Sequence, residues 1–322
     1  MEVYHSLIQI TQGEGSRVTV GSFDGLHLGH QRIFNTLKSL TGGVLTVLTF
    51  KPHPQAVIRP QSSPPPLLTS DEERIELFRE IGVERLIFAP FDLELAEMEP
   101  EWFVREILLE KLRMETLVVG ENHKFGKGRQ GDVHLLQDLS QRWGFGLTVV
   151  EAISDDEGVI SSTRIRKLLL NGRVREAIKL LGRPYKLHGL VVPGTGRGNS
   201  LGFPTANLKV SNPYKLIPRN GIYATWTEWR GDSYPSVTHV GPRPTFEENE
   251  ISVETYIPGF SRDLYGEQLI ISFVDYLREV MSFSTSKALV EQMEKDVQES
   301  LFRLDGWKKG VFDTQFLLPL KD

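Results

Sequence analysis

The chain has 322 residues, of which 39% are hydrophobic and 25% charged, and its formal net charge is −5. These values indicate a globular protein with room for two domains. The acidic balance does not favour a nucleic-acid-binding protein, and the absence of cysteine excludes disulfides, thiolate metal sites and a cysteine nucleophile. We expect no secretory signal, no membrane span and no membrane partner, and a cysteine-free chain fits the cytoplasm.

In the first half of the chain, short apolar runs alternate with helical patterns. The runs are rich in Val, Ile, Leu and Thr, as buried parallel strands are. Strands are predicted at residues 17–20, 44–50, 85–89, 116–119 and 147–150, and helices at 70–81 and 101–112. Alternation of this kind predicts a doubly wound, Rossmann-like α/β domain.

The pattern changes after residue 161. Two helices are predicted up to Leu181, where Gly182 and Pro184 end the helical spacing. Short strands separated by Gly and Pro turns then follow to about residue 275, and a final helix is predicted at 285–304. This half predicts a small antiparallel barrel. We therefore divide the chain into domains at 1–184 and 185–308, and assign no role to the tail at 309–322.

The most informative motif is GSFDGLHLGH at 21–30, which follows the first predicted strand and opens a helix. Gly21 permits close approach of the backbone to phosphates, and Gly29 leaves room for a nucleotide on the helix. His27 and His30 project from one face of the first turn. This pattern suits nucleotidyl transfer, in which positioned donors stabilise charge on the α-phosphate. Two alternatives are exposed histidines at a helix start and a metal site, for which no third ligand has obvious spacing.

Two further segments of the first half could contact substrate. The run ISSTRIR at 160–166 places three hydroxyls before two basic side chains that could neutralise a triphosphate, although hydroxyls also cap helices generally. Its polar residues are Ser161, Ser162, Thr163, Arg164 and Arg166. The run GENHKFGKGR at 120–129 mixes aromatic, basic and glycine residues. It could close on a planar anion or be a solvated basic loop.

The second half contains a glycine-rich loop that ends in FPTAN. Its glycines include Gly194, Gly196, Gly198 and Gly202. The run is neither a Walker A sequence nor a convincing dinucleotide fingerprint, so a phosphate-contacting loop and a plain hairpin both remain open. Thr205 and Asn207 share one face if extended, and their oxygens suit Mg²⁺. Glu254 lies in a strand pattern and could be a general base or an exposed surface carboxylate.

These motifs together resemble the bacterial bifunctional riboflavin kinase/FMN adenylyltransferase family, also called FAD synthetase. The matching runs are GSFDGLHLGHQ at 21–31, FKPHP at 50–54, GENHKFGKGRQGD at 120–132, ISSTRIR at 160–166, LGFPTANL at 201–208, NGIY at 220–223, HVGPRPTF at 239–246, VETYI at 253–257 and LYG at 264–266. The resemblance covers about residues 15–305 and implies a Rossmann-like nucleotidyltransferase domain followed by a six-stranded antiparallel barrel with a terminal helix.

The resemblance also implies roles for individual residues. Thr205 and Asn207 would bind Mg²⁺ with ATP, and Glu254 would be the catalytic base of the kinase. In the first half, ATP would be bound by the run at 160–166 and by Gly21, Phe23, Asp24 and Gly29. In the second half, ATP would be bound by the glycine-rich loop. Flavin would be bound by Asn122, Phe125 and Arg129. His123 departs from the family, which usually has phenylalanine at this position.

The implied reactions are phosphorylation of riboflavin to FMN by ATP, which releases ADP, and adenylylation of FMN to FAD by a second ATP, which releases pyrophosphate. Both would need Mg²⁺ to neutralise polyphosphate charge. One alternative is a nucleotidyltransferase for another phosphate acceptor, such as a pantetheine or nicotinamide nucleotide. Another is a flavin-binding regulatory protein without catalysis, although mere binding would not need His27, His30, Asn207 and Glu254.

Overall fold

A computed structural model of the chain describes residues 1–10, 14–58, 61, 63–194, 196–242 and 251–308. By the packing of its Cα atoms the chain divides into two compact units, Met1–Ser162 and Thr163–Asp322. This division lies upstream of the predicted boundary, because the helices up to Leu181 group with the second unit. The boundary at residue 184 stays a prediction about independent folding, and the tail at 309–322 lies outside the described residues.

The first unit is built on a six-stranded sheet in which all neighbouring strands are parallel. The strands are β1 (Glu2–Tyr4), β2 (Ser16–Val20), β3 (Val44–Lys51), β4 (Arg85–Pro90), β5 (Met114–Gly120) and β6 (Gly146–Val150). They lie in the order β1-β4-β3-β2-β5-β6. The five strands predicted from the sequence are confirmed. The three-residue β1 is too short to carry a pattern and was not predicted.

Helices and short turns connect these strands. The helices are α1 (Leu28–Ser39), α2 (Pro54–Ile58), α3 (Asp71–Ile81), α4 (Leu93–Ala96), α5 (Pro100–Trp102), which continues as π-helix over Phe103–Lys111, and α6 (Val133–Trp143), with 3₁₀ turns at Leu7–Gln9 and Lys127–Arg129 and a hairpin of β7 (Ser154–Asp155) and β8 (Gly158–Val159). Helix α3 begins with a capping box. The Ser70 hydroxyl accepts from Glu73 N at 3.2 Å, and the Glu73 carboxylate accepts from Ser70 N at 3.0 Å.

The sheet is buried on both faces. Val47 on β3 and Phe88 on β4 pack in one apolar cluster, whereas their neighbours Leu48 and Ile87 pack in another. Successive strand residues point to opposite faces, so helices must cover both sides. The strand order reverses at β2, which lies between β3 and β5. Ligands of such sheets bind at the carboxyl ends of the strands at this switch point.

The second unit contains a closed antiparallel barrel in the order β10-β13-β12-β11-β14-β9. Its strands are β9 (Tyr185–Val192), β10 (Thr205–Val210), β11 (Gly221–Trp229), β12 (Asp232–Pro242), β13 (Ile251–Tyr256) and β14 (Gln268–Arg278), and its helices are α7 (Ser162–Leu170), α8 (Val174–Leu181), α9 (Arg197–Ser200) and α10 (Ser286–Lys308). The predicted fold, a Rossmann-like α/β domain followed by a six-stranded barrel with a terminal helix, is confirmed.

Helices α8 and α10 are joined to the barrel by a shared ion-pair group. The carboxylate of Asp275 on β14 lies 2.6 Å from Arg175 on α8 and 3.0 Å from Arg303 on α10. Helix α8 also buries one apolar face, made of Val174, Ala177, Ile178, Leu180 and Leu181. These contacts explain why the segment before residue 184 groups with the barrel.

The barrel interior includes a cluster of hydroxyl side chains, each at most 1% exposed. This hydroxyl cluster consists of Thr225, Thr227, Ser236, Thr238 and Thr255. Its Oγ atoms lie 2.8 to 3.3 Å apart along the network. Buried hydroxyls are tolerated when they bond to one another, so the cluster is a satisfied polar part of the core.

Candidate active sites

The segment between β2 and α1 forms the first candidate site. Gly21 follows β2, and His27 is the N-cap residue of α1. Phe23 and Leu26 have positive φ angles of 47° and 38°, and their side chains are buried. Because L-residues disfavour such conformations, this burial fixes the segment in one shape. The segment therefore presents a preformed backbone at the N-terminus of α1, where anions bind.

The two histidines of the motif lie together, as predicted. Their ring centroids are 3.7 Å apart with an interplanar angle of 21°. His27 is 5% exposed, and the edge of Phe23 packs against His30 with centroids 5.3 Å apart. A Cβ on Gly29 would lie 3.2 Å from His27 Nδ1, so the absence of a side chain at Gly29 makes room for the His27 ring, and room for a nucleotide at this position stays a prediction. The arrangement offers two adjacent imidazoles at the N-terminal end of a helix.

Asp24 is used differently from the other residues of the motif. Its carboxylate is 3% exposed and accepts hydrogen bonds from Leu68 N at 3.0 Å, Thr69 N at 2.9 Å and Thr69 Oγ1 at 3.0 Å. Thr69 Oγ1 in turn accepts from Gly25 N at 3.0 Å. The geometry gives Asp24 a role in bracing this loop, and its contact with ATP stays a prediction.

A second brace comes from Arg74 on α3, which the sequence did not suggest. Its guanidinium donates to Ser22 O and to Thr49 Oγ1, both at 3.1 Å, and also pairs with Asp71. Burial alone would raise the pKa of Asp71, but the pairs with Lys51 and Arg74 outweigh it and hold this pKa below its usual value. The charged group thus stays ionised and anchors the arginine under the motif.

The hydroxyl-and-arginine run leads into α7. Ser162 is the first residue of this helix, and its hydroxyl donates to Asp24 O at 2.8 Å. Ser161 precedes it, and Ile160 O lies 3.8 Å from a Cβ placed on Gly29. The run therefore reaches the first candidate site through Ser162. The remaining predicted residues, Thr163, Arg164 and Arg166, lie in the first turns of α7.

The predicted flavin-contacting loop leaves the carboxyl end of β5, the strand next to β2. Phe125 is buried and forms a two-hydrogen-bond bridge with Gly131. His123 stacks on Phe125 with centroids 5.5 Å apart. Burial, aided by the charge of Arg129, lowers the pKa of His123 to about 4. His123 is therefore an uncharged aromatic ring at neutral pH, whereas Asn122 and Arg129 are exposed.

The second candidate site lies on the barrel, where three strands bring polar residues into one row. Glu254 on β13 is directly opposite Asn207 on β10 and His239 on β12. Thr205 Oγ1 is 3.5 Å from Glu254 Oε2, and Ser252 Oγ is 3.3 Å from Oε1. Burial and the charge of the nearby Arg278 lower the pKa of His239, although the Glu254 carboxylate acts in the opposite direction. The row thus holds one carboxylate among neutral groups.

The glycine-rich loop lies directly against this row. A Cβ on Gly194 would overlap the Asn207 side chain, and a Cβ on Gly198 would lie 3.2 Å from Thr205 Oγ1. Gly196 and Gly202 adopt positive φ angles of 71° and 82°. Glycine is required at these positions by close approach or by backbone conformation. The HVGPRPTF run extends to 246, but residues 243–246 lie outside the described residues.

Family comparisons follow the same division of the chain. The family described as FAD synthetase matches residues 9–164, and the family described as riboflavin kinase matches residues 181–302. The bifunctional riboflavin kinase/FMN adenylyltransferase of Bacillus subtilis is 35% identical over 304 residues, which cover 92% of this chain and 95% of the relative. That of Escherichia coli K12 is 31% identical over 296 residues, covering 91% and 93%.

A solved structure shares the architecture. The crystal structure of a macrolide-efflux protein from Streptococcus pneumoniae has a TM-score of 0.84 and 29% identity, covering 93% of this chain and 98% of that chain. In the parts of this chain that the structure describes, no helix is long and apolar enough to cross a membrane.

The fold and the family comparisons together define a two-module transferase. The chain belongs to the bifunctional riboflavin kinase/FMN adenylyltransferase family. It converts riboflavin to FMN and FMN to FAD.

Proposed function

We propose that Glu254 is the general base in the phosphorylation of riboflavin, and that His27 and His30 form the site at which FMN is adenylylated. The observation that carries the first assignment is the strand register, which sets Glu254 beside Asn207 and within 3.5 Å of Thr205. A carboxylate so placed accepts the proton of the ribityl 5′-hydroxyl. At the same time the 5′-oxygen of riboflavin attacks the γ-phosphorus of ATP, and ADP leaves. No other described acidic side chain lies in that row.

Thr205 and Asn207 fit Mg²⁺ as the metal of this reaction. Their donors are a hydroxyl and an amide oxygen, and the glycine backbone at Gly194 and Gly198 packs against both side chains. Mg²⁺ is commonly held by few protein ligands together with phosphates and water. When bound, the ion neutralises polyphosphate charge. Thr205 and Asn207 would hold it, and the glycine-rich loop would cover the phosphates of ATP.

In the other unit, the adenylyl group passes from ATP to FMN, and pyrophosphate leaves. His27, His30 and the N–H groups at the start of α1 supply positive or hydrogen-bonding partners for charge on the α-phosphate. Gly21, Phe23 and Gly29 shape this surface, and Ser161 and Ser162 contact the remaining phosphates, whereas ATP binding by Thr163, Arg164 and Arg166 stays a prediction. Asn122, Phe125 and Arg129 hold FMN from the neighbouring strand end. The cytoplasmic location and the lack of a nucleic-acid partner stay predictions.

Two variants assayed with two substrates test the division of labour. Glu254→Gln should lower formation of FMN from riboflavin by about 10²–10⁴-fold, as loss of a general base does, and leave FAD formation from FMN unchanged. His30→Ala should lower FAD formation from FMN and spare FMN formation. Flavins are separated by chromatography after incubation with Mg-ATP.

Matched controls are Glu228→Gln, a half-buried strand glutamate elsewhere on the barrel, and His134→Ala, an exposed histidine on α6. Both should leave the two rates near the parental values. Parental phosphorylation by Glu254→Gln would remove Glu254 as the base. Parental adenylylation by His30→Ala would remove His30 from the second site.

A further inference from the structure

The Glu254 carboxylate is contacted by a hydroxyl at each of its oxygens. Thr205, on the side of the glycine-rich loop, lies 3.5 Å from Oε2. Ser252 lies 3.3 Å from Oε1 and belongs to neither the glycine-rich loop nor the strand that carries the proposed metal ligands. The two oxygens therefore have different surroundings, and Ser252 has no role in the reaction as described so far.

Ser252 is built into the wall beside the base. It lies two residues before Glu254 on β13, so both side chains point to the same face of the barrel. Ser252 is 3% exposed, and its hydroxyl is also 3.3 Å from Gly241 O on β12. A hydroxyl has one proton, so it donates to one of these acceptors at a time. Bonds to an ionised acceptor are the stronger ones, which favours donation to the carboxylate.

His239 closes the same side of the carboxylate. It lies directly across from Glu254, and side chains so paired have Cβ atoms about 4.5–5.5 Å apart. A Cβ on Gly241 would lie 2.6 Å from His239 Nε2, so the imidazole occupies the space that this glycine leaves free. With Ser252 and His239 on one side, the carboxylate has its other oxygen towards Thr205.

We propose that Ser252 is a positioning residue for Glu254: its hydroxyl holds Oε1, with His239 as the adjoining wall, so that Oε2 is the oxygen that takes the substrate proton. This inference rests on the proposed role of Glu254. A general base acts only when its accepting oxygen is within hydrogen-bond reach of the proton, and small misplacements of a reacting group are costly in rate.

The test compares Ser252→Ala in two backgrounds. In the parent, Ser252→Ala should lower kcat for riboflavin phosphorylation about tenfold, with KM for riboflavin and ATP unchanged, because orientation of the base matters only in the transition state. In the Glu254→Gln background, the same change should have no further effect on kcat, since there is no base to orient. FAD formation from FMN should stay parental throughout and reports that the chain is folded.

Ser272→Ala is the matched control. Ser272 is 4% exposed, and its hydroxyl lies 3.2 Å from Glu228 Oε1 on another strand pair, so this variant also removes a buried serine–glutamate bond from the barrel. Its kcat should equal that of the parent. If Ser252→Ala yields no folded protein, Ser252→Cys replaces the hydroxyl by a somewhat larger thiol that is a weaker donor, and it should lower kcat in the same direction.

The outcomes separate two failures. A parental rate in Glu254→Gln overturns the role of Glu254 itself. A lowered rate in Glu254→Gln, together with a parental kcat in Ser252→Ala or Ser252→Cys, overturns only the positioning role. An equal loss of kcat on removing Ser252 in both backgrounds also overturns it, because the hydroxyl then acts independently of Glu254.

Discussion

His27 and His30 lie face to face, with ring centroids 3.7 Å apart, because Gly29, one of the two residues between them, has no side chain. A Cβ on Gly29 would be 3.2 Å from both Nδ1 and Cε1 of His27. His27 is almost completely buried and has little freedom to move away. The spacing of the two rings therefore depends on a single missing methyl group.

Gly29→Ala should separate stability from activity. Alanine is favoured over glycine within a helix by about 1 kcal/mol, but its Cβ would press on the buried His27 ring, so the two effects oppose each other and the melting temperature should change little. Displacement of His27 should lower FAD formation from FMN about tenfold and leave riboflavin phosphorylation unchanged. Thermal denaturation and separated flavin assays measure both. Asn35→Ala, an exposed change on the same helix, should leave both rates at parental values.

Asp24→Asn should destabilise the first unit. The amide would present N–H groups to backbone donors at Leu68 and Thr69, so at least one buried hydrogen bond is lost. We expect a loss of about 1–3 kcal/mol in the free energy of unfolding, measured by chemical denaturation, together with weaker adenylylation. An unchanged stability with a raised KM for ATP would instead assign Asp24 to the nucleotide.

His123→Phe should retain adenylylation near the parental rate, because an uncharged imidazole stacked on Phe125 already behaves as an apolar ring. The change should also reduce acid sensitivity. The lowered pKa of His123 means that its stabilisation is complete above the ordinary value of 6.5 and is lost as pH falls towards about 4. Denaturation at several pH values should show a smaller loss in the variant than in the parent. His123→Lys, which cannot discard its charge as easily, should be less stable.

A fragment that begins at Thr163 should be more stable than one that begins at Pro184. Both should fold and phosphorylate riboflavin, since Thr205, Asn207 and Glu254 are present in each. The shorter fragment lacks the buried face of α8, whose Val, Leu and Ile side chains each contribute roughly 1.5–3 kcal/mol. It also lacks Arg175 and its pair with Asp275. Melting temperatures compare the two, and equal values would place α8 outside the folding unit of the barrel.

Local patterns were sufficient to predict the strands, the HxGH helix start and the face shared by Thr205 and Asn207. Each of these depends on residues close together in the chain. The contacts that fix the first site do not, because Asp24 meets Leu68 and Thr69 across 44 and 45 residues, and Arg74 meets Ser22 across 52. Burial of such polar groups has no periodic pattern, so these braces became visible only in the folded chain.

The second site shows the same limit at the level of register. The sequence placed Glu254 in a strand pattern, but only the pairing of strands shows that Asn207 and His239 flank the carboxylate. A slip of one residue between strands would turn these side chains to the other face. Chemistry at Glu254 is therefore a property of three strands, and sequence reasoning named Glu254, Thr205 and Asn207 but not His239 or Ser252.

The hydroxyl cluster inside the barrel has a consequence for how this chain can change over time. Each member lies within hydrogen-bond distance of two other members, so replacing one by an apolar residue leaves a donor or acceptor on another without that partner. Replacement of the whole set by apolar side chains of similar shape would leave nothing stranded. Substitutions in this cluster should therefore occur together, at Thr225, Thr227, Ser236, Thr238 and Thr255. Related chains should have either a hydroxyl network or an apolar core at these five positions, and few should have a mixture of the two.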